Sequence, residues 1–336
     1  MQARDSSSIV NEIFLRAFSS QFHYPGYPSL IMSALSAIPI IDMSPYLEGT
    51  KEGRQKVANG IFDAAHEIGF TYLKNFGMSQ DMLEAAFTIA HSLFTSDEKY
   101  KVPFSVEYNH GYGKMEGEAL DPTKPADLKE TFTSRNLLRL PSGEEHWPNP
   151  QFEAFMRVFY KRVCDIASNV MGAFEIALDL EPGYFDTRHT GLTQTLRLLH
   201  YPPVENVSEG QLGAGAHTDY GTLTVLFQDE RGGLQVQNLK DEWIDAPPIP
   251  GTVVINTGDL IARWSNDFFK STPHRVVPRP AAMIHGRQSI AFFSDPDPDV
   301  IIETFPSCVT EENPAKYGPI TAGEHIQQRI LATQKK

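Results

Sequence analysis

His217 and Asp219 stand in the stretch GAHTDYGTLTVL, and His274 follows in STPHRVVPRP. Two imidazoles and one carboxylate form the facial ligand set of non-haem Fe(II) oxygenases, with open positions left for cosubstrate and dioxygen (O2). On an extended chain, residues two apart share a face, so His217 and Asp219 point the same way. A structural zinc site would close its shell with a fourth ligand, often cysteine. Neither Cys164 nor Cys308 lies near these three residues in the chain. Arg287 and Ser289, in GRQSIAFF, are again two apart. A guanidinium beside a hydroxyl is a clamp for a carboxylate, and Tyr201, in LRLLHYPP, is a candidate third donor. Together these residues could grip the far carboxylate of 2-oxoglutarate.

Taken singly, each residue has a plainer reading. His-x-Asp also makes a polar turn. His274 could be a hydrogen-bonded strand histidine, and Arg287 a surface ion-pair partner. Their order on an all-β background is what favours chemistry. For a cleft wall the candidates are Tyr112, Phe132, Gln194, His200, Phe227 and Phe293, each equally readable as core or surface. His66, His91, His110, His146, His189, His285 and His325 are assigned to structure or surface.

These side chains need a rigid frame, and the pattern supplies one. After Pro182, short β-type runs follow one another: TLRLLHY, TLTVLFQ, LQVQ, TVVINTG, HRVV and QSIAFF. Turn residues at Gly232-Gly233, Pro247-Pro248 and Pro250-Gly251 separate them. Such spacing predicts a sandwich or barrel. Before Pro182 the period is helical over Lys51–Phe70, Met82–Phe94 and Phe152–Leu180. Ile38–Asp42 and Phe70–Gly77 read as strands. The expected organisation is an extension over 1–37, a helical region over 38–182 that covers the core, a β core over 183–300 and a C-terminal segment over 301–336.

The chain of 336 residues, 41% hydrophobic and 21% charged, has the balance of a soluble globular protein. A net charge of −13 and no dense basic run argue against nucleic acid as a partner. No apolar run approaches the ~18 residues that span a bilayer, so no membrane partner is expected. Two cysteines without framework spacing fit a reducing, cytoplasmic setting. The extension is Ser-rich with an apolar stripe through Ile9, Val10, Ile13, Phe14, Ala17 and Phe18. A docking helix, a disordered tail and a mitochondrial leader are its open readings. Oligomeric state leaves no signal in the sequence.

With these residues in hand, the chain resembles the isopenicillin N synthase-like branch of the 2-oxoglutarate/Fe(II) dioxygenases. IPIIDMSPYL, IGFTYLKNFGM, DLKETF, LRLLHYPP, GAHTDYGTLTVLFQDERGGLQV, VVINTGDLIARWSND, STPHRVV and RQSIAFF carry the resemblance, in order, from Ile38 to about Leu331. In wording the chain is most similar to fungal thymine dioxygenases and to oxygenases of secondary metabolism. The resemblance implies a mainly β fold with flanking α-helices and a distorted double-stranded β-helix (jelly-roll) core. It implies Fe(II) on His217, Asp219 and His274, and 2-oxoglutarate held by Arg287 and Ser289 with Tyr201 nearby. It further implies oxidation of an unactivated C–H bond in a small ring-containing substrate, with release of succinate and carbon dioxide. Two alternatives stay open at this point. Isopenicillin N synthase keeps an Arg-x-Ser for its peptide substrate and uses no 2-oxoglutarate, and a metal-free jelly roll could serve as a binding module.

Overall fold

Alternation of side chains along each strand decides which residues reach the site. The structure, a computed structural model, describes residues 38–121 and 123–334. The extension over 1–37, with its leader and docking-helix readings, lies outside the described residues.

The strands of the two larger sheets, in chain order, are β1 (Ile40–Asp42), β2 (Phe70–Lys74), β3 (His110–Gly113), β4 (Glu130–Arg135), β5 (Thr195–Tyr201), β6 (Ala214–His217), β7 (Leu223–Gln228), β8 (Leu234–Gln237), β9 (Trp243–Asp245), β10 (Thr252–Thr257), β11 (His274–Val276) and β12 (Arg287–Ser294). A large sheet runs β1-β2-β10-β7-β12-β5-β4-β3, and a smaller one runs β6-β11-β8-β9. The two sheets make the jelly-roll core. The division expected at residue 182 needs correction. β2 pairs with β10, and β4 pairs with β5. The first half therefore supplies four strands of the main sheet and is not only a helical cover.

Period two separates the faces of the main sheet. Tyr72, Leu199, Tyr201, Leu226 and Val254 pack with Leu234, Val236 and Val276 of the small sheet. Leu73, Phe132, Leu196, Leu198, Val225, Phe227, Ile255, Ile290 and Phe292 face the other way, into the core under the helices.

Those helices are α1 (Lys51–Glu67), α2 (Gln80–Phe94) and α3 (Pro150–Ala177). Each starts on a capping side chain: Thr50, Ser79 and Asn149 accept from the N–H three residues on, which satisfies a helix-end donor. Pro150 opens α3, where a missing N–H does no harm. Its stripe of Phe152, Met156, Phe159, Val163, Ile166, Val170 and Phe174 is buried. Each such side chain contributes roughly 1.5–3 kcal/mol by leaving water. Phe159 lies 5.7 Å from the Phe227 ring, so α3 backs directly onto β7. A C-terminal helix, α4 (Ala322–Gln334), begins with a capping box in which Thr321 and Glu324 exchange hydrogen bonds. No helix among the described residues is long and apolar enough to cross a membrane.

Candidate active site

His217 ends β6 and His274 opens β11, and the two are direct cross-strand partners. Their rings lie 4.3 Å apart, centroid to centroid. Asp219 reaches the same point from the turn after β6. Its Oδ1 lies 3.8 Å from His217 Nε2 and 3.7 Å from His274 Nε2. One ligand atom from each of the three falls within 4.8 Å of the others. The remaining polar atoms are all engaged. His217 Nδ1 pairs with the Gly215 carbonyl at 2.7 Å, and His274 Nδ1 with the Thr272 carbonyl at 3.1 Å. A carbonyl only accepts, so each Nδ1 carries the proton and each Nε2 presents a lone pair. Asp219 Oδ2 accepts from Thr224 Oγ1 at 2.5 Å and from Asn256 Nδ2 at 2.7 Å. This donor set fits a divalent metal with open positions.

The electrostatics agree. Burial, with the His274 ring close by, pushes His217 down to about 3, so the imidazole is neutral, the form that binds metal. Burial pulls Asp219 upward. The His274 and His217 rings and the two hydrogen bonds outweigh it and hold the carboxyl below its usual range.

The motif DLKETF braces this centre. Asp127 Oδ1 accepts from the Gly215 N–H at 2.9 Å, in the strand that carries His217. Lys129, buried, ties Asp127 at 2.5 Å and Glu118 at 3.4 Å. From the other end, Arg329 on α4 donates to Thr218 Oγ1 at 3.0 Å and pairs with Asp259 at 2.7 Å.

Arg287 begins β12 and is only 2% exposed. Its Nε donates to the Gly232 carbonyl at 2.7 Å, its Nη1 to Ser289 Oγ at 3.2 Å and its Nη2 to Gln228 Oε1 at 3.3 Å. The Tyr201 ring lies 4.7 Å from the guanidinium carbon. Tyr201 thus covers the cation with its face, and among the described residues its hydroxyl donates to nothing. No carboxylate pairs with Arg287 among the described residues. A buried cation without a counter-ion is a strong demand for an anion.

The wall candidates divide sharply. Thr224 bonds Asp219, so Thr224, Leu226 and Gln228 face the site, and Phe227 faces the helices, where it meets Phe76 and Phe159. Phe132 lies on the same far side, against Phe152. Tyr112 is its cross-strand partner and donates to Glu130. His200 stacks on Phe94 of α2 and pairs with Glu130 at 2.7 Å. Gln194 turns toward α3, with Cys164 Sγ at 3.4 Å. These five are corrected to core and helix-side positions, because strand parity turns them from the metal centre. Phe293 does face it, paired in register with Thr224 and Thr195.

Several site residues escaped the sequence reading: Thr224, Asn256, Gln228, Arg135 and Asp295. The first three could have been found from the alternation in TLTVLFQ and TVVINT, since they share parity with inward positions. Burial pushes Asp295 up to about 7, with the charge of Arg135 opposing and that of Asp219 adding.

Comparison with known proteins decides the family. Residues 192–296 match the model of the 2OG-Fe(II) oxygenase superfamily, and residues 38–152 match the N-terminal model of the non-haem dioxygenase in morphine synthesis. A 2-oxoglutarate-Fe(II) type oxidoreductase of Emericella nidulans is 30% identical, over 88% of this chain and 89% of its own. The chain belongs to the 2OG-Fe(II) oxygenase superfamily. A homoarginine-6-hydroxylase of Glycine max is 31% identical to the oxygenase, over 88% of this chain and 97% of its own. The crystal structure of the full-length thymine 7-hydroxylase of Neurospora crassa in complex with alpha-KG and thymine superposes with a TM-score of 0.79 at 36% identity, covering 88% of this chain and 97% of that one. The oxygenase is thus a 2-oxoglutarate- and Fe(II)-dependent oxidoreductase, which sets aside both the oxidase without 2-oxoglutarate and the metal-free binding module.

Proposed function

We propose that this oxygenase holds Fe(II) on His217, Asp219 and His274, holds the far carboxylate of 2-oxoglutarate on Arg287 and Ser289 under the Tyr201 ring, and hydroxylates a small ring-containing molecule. A pyrimidine such as thymine is the first candidate substrate, and a fungal natural-product ring is the second.

The observation that carries this reading is the division of atoms in the triad. Each ligand gives one polar atom to the protein and aims the other at a common point. When bound, Fe(II) with 2-oxoglutarate and dioxygen supplies the oxidising power, with succinate and carbon dioxide as co-products. The chain's own part is positioning. Thr224 and Asn256 fix the Asp219 carboxylate. The Gly215 and Thr272 carbonyls fix both imidazole tautomers. Gly232, Ser289 and Gln228 orient the guanidinium of Arg287, so one end of β12 is committed to the cosubstrate. At the other end, Phe293 offers a flat apolar face toward the metal centre, suited to stacking on a ring.

Support for a pyrimidine comes from the Neurospora thymine 7-hydroxylase, crystallised with thymine and, separately, with 5-formyluracil. Support for the second candidate comes from the fungal oxidoreductases among the relatives. The test supplies thymine, uracil and a panel of aromatic polyketides and alkaloids with iron, ascorbate and 2-oxoglutarate, and reads succinate above a substrate-free blank. A pyrimidine is expected to lift succinate release. If none does, the natural-product reading takes its place, and if only peptides do, the small-ring reading falls.

A further inference from the structure

One register row crosses the main sheet on the side of the metal centre. It runs Phe70, Asn256, Thr224, Phe293, Thr195, Arg135, each the cross-strand partner of the next. Phe70 packs edge-on to His274, and Asn256 and Thr224 hold Asp219. Adjacent strands lie about 5 Å apart, so Phe293 is one step and Arg135 three steps from Thr224. The inward positions of β12 run Arg287, Ser289, Ala291 and Phe293, and Asp295 follows just past the strand's end, where its carboxylate lies beside Gly221. The strand thus carries the cosubstrate clamp at its start and Phe293 near its end, with Asp295 one residue past that end.

The two charged groups at this end are incompletely used. Asp295 lies against the backbone of Gly221, so closely that a Cβ there would overlap its Oδ1. Glycine at 221 therefore leaves the room that the carboxylate occupies. Among the described residues that carboxylate accepts no hydrogen bond and has no cation within 4 Å. Arg135, partly buried, donates from Nε to Thr195 Oγ1 at 3.2 Å. Asn109, with its amide oxygen turned inward, takes Nε and Nη2 at 2.9 Å each. Nη1 has no partner among the described residues. Arg135 and Asp295 feel each other's charge, yet they form no ion pair. An acceptor and a donor thus stand apart beside an aromatic face.

We propose that Asp295 and Arg135 recognise the planar –NH–C(=O)– edge of a cyclic amide or imide, Asp295 accepting the N–H and Arg135 donating to the carbonyl while the ring stacks on Phe293. The inference rests on the reading of this cleft as an oxygenase site for small rings, and it narrows that class to N-unsubstituted lactams and ureides. Such an edge offers one donor and one acceptor side by side, which a lone carboxylate or a hydrocarbon ring does not.

The test uses the full chain loaded with Mn(II) and 2-oxoglutarate, which binds without turnover. Affinities are measured for thymine and for 1,3-dimethylthymine, which has no N–H. The wild type is expected to bind thymine about 10- to 100-fold more tightly than the dimethyl compound. Asp295→Ala should lose that preference. Asp295→Leu, which keeps the side chain's approximate shape but has no acceptor and guards against misfolding, should lose it as well. Arg135→Gln should weaken thymine by a similar factor and keep the preference. Mn(II) and 2-oxoglutarate affinities should stay unchanged in all three variants. If thymine does not bind, 2-quinolone and its N-methyl derivative replace it, with the same expectation. The proposal is overturned if the wild type shows no N–H preference in either pair or binds none of the four. It is also overturned if the Asp295 variants keep the preference, or if Arg135→Gln leaves lactam affinity within twofold. Failure of the wild type to bind Mn(II) or 2-oxoglutarate would instead sink the oxygenase reading, and this proposal with it.

Discussion

Asp219 gives one oxygen to Thr224 and Asn256 and keeps the other for the metal position. The partners of that carboxylate should matter almost as much as the ligand itself. Asn256→Ala removes a 2.7 Å donor without touching a ligand. Metal affinity is expected to fall roughly 10- to 100-fold, measured by competitive Fe(II) or Mn(II) titration of folded protein. His274→Ala deletes a ligand atom outright. It should abolish both stoichiometric iron binding and succinate formation, and a variant that keeps both would refute the triad. Arg287→Ala removes the buried cation that lacks a carboxylate partner. Its effect should be confined to 2-oxoglutarate, whose apparent affinity is expected to weaken by about 2–5 kcal/mol while iron stays bound. An unchanged requirement for 2-oxoglutarate would locate the clamp elsewhere.

At the scale of elements, the centre is a cross-strand pair clamped by its neighbours. His217 and His274 are fixed by the β6–β11 register, so their separation follows from backbone hydrogen bonding. Asp219 sits in a turn and depends on contacts from outside the sheet. Arg329 of α4 reaches that turn through Thr218 and Asp259, and its guanidinium lies 5.4 Å from the Tyr220 ring. Arg329 is half exposed, so its ion pair contributes little to global stability. Arg329→Ala should therefore shift the melting temperature by a few degrees at most while lowering turnover several-fold. Equal losses in both would mean that α4 supports the fold and not the turn. Phe159 of α3 is the contrasting case. It is fully buried against Phe227, and Phe159→Ala should cost about 3–5 kcal/mol of stability by denaturant unfolding.

The whole molecule carries a set of buried neutral histidines that make it sensitive to acid. His189 is the clearest. Its Nδ1 pairs with the Phe185 carbonyl at 3.0 Å, and its Nε2 with Thr222 Oγ1 at 3.0 Å. Burial pushes it down to about 4 despite the pull of the Phe185 carbonyl. An unfolded histidine titrates near ~6.5. Between that pH and about 4 the unfolded chain takes up a proton that the folded chain refuses. Stability is therefore complete above pH ~6.5 and falls as pH drops, by up to about 1.4 kcal/mol per pH unit from this group. Burial lowers His110 and His325 too, so they act in the same direction. Metal-free protein unfolded in denaturant at pH 7 and pH 5 should show the loss. His189→Gln should shrink it, and an unchanged difference would exclude His189 as a source.

Local chemistry and period were enough to expose the triad, the Arg287–Ser289 pair and most strands of the core. Spacing of two on an extended chain holds for Arg287-x-Ser289 in β12, a property of neighbouring residues that survives without knowledge of the fold, whereas in His217-x-Asp219 the strand ends at His217 and the turn brings Asp219 back to the same point. The long helical stripe was legible for the same reason, because Phe152 to Phe174 repeats at the helical period whatever it packs on. Side of the sheet was not legible. Phe132, Phe227 and Phe293 are equally aromatic, and only the register against Thr224 and α3 separates the one that faces the metal centre from the two in the helix-side core. Gln194 and His200 look polar enough for a site, yet pairing across the sheet turns them to α3 and α2. Arg135 and Asp295 lie 160 positions apart, and no local pattern links them. A single row of backbone hydrogen bonds through β4, β5 and β12 brings Arg135 to the side of Phe293, with Asp295 two residues further along the same strand direction. Spacing along the chain determines which chemistry is available, and strand pairing determines which side chains share a space, because each residue slipped in register reverses the face that its neighbours see.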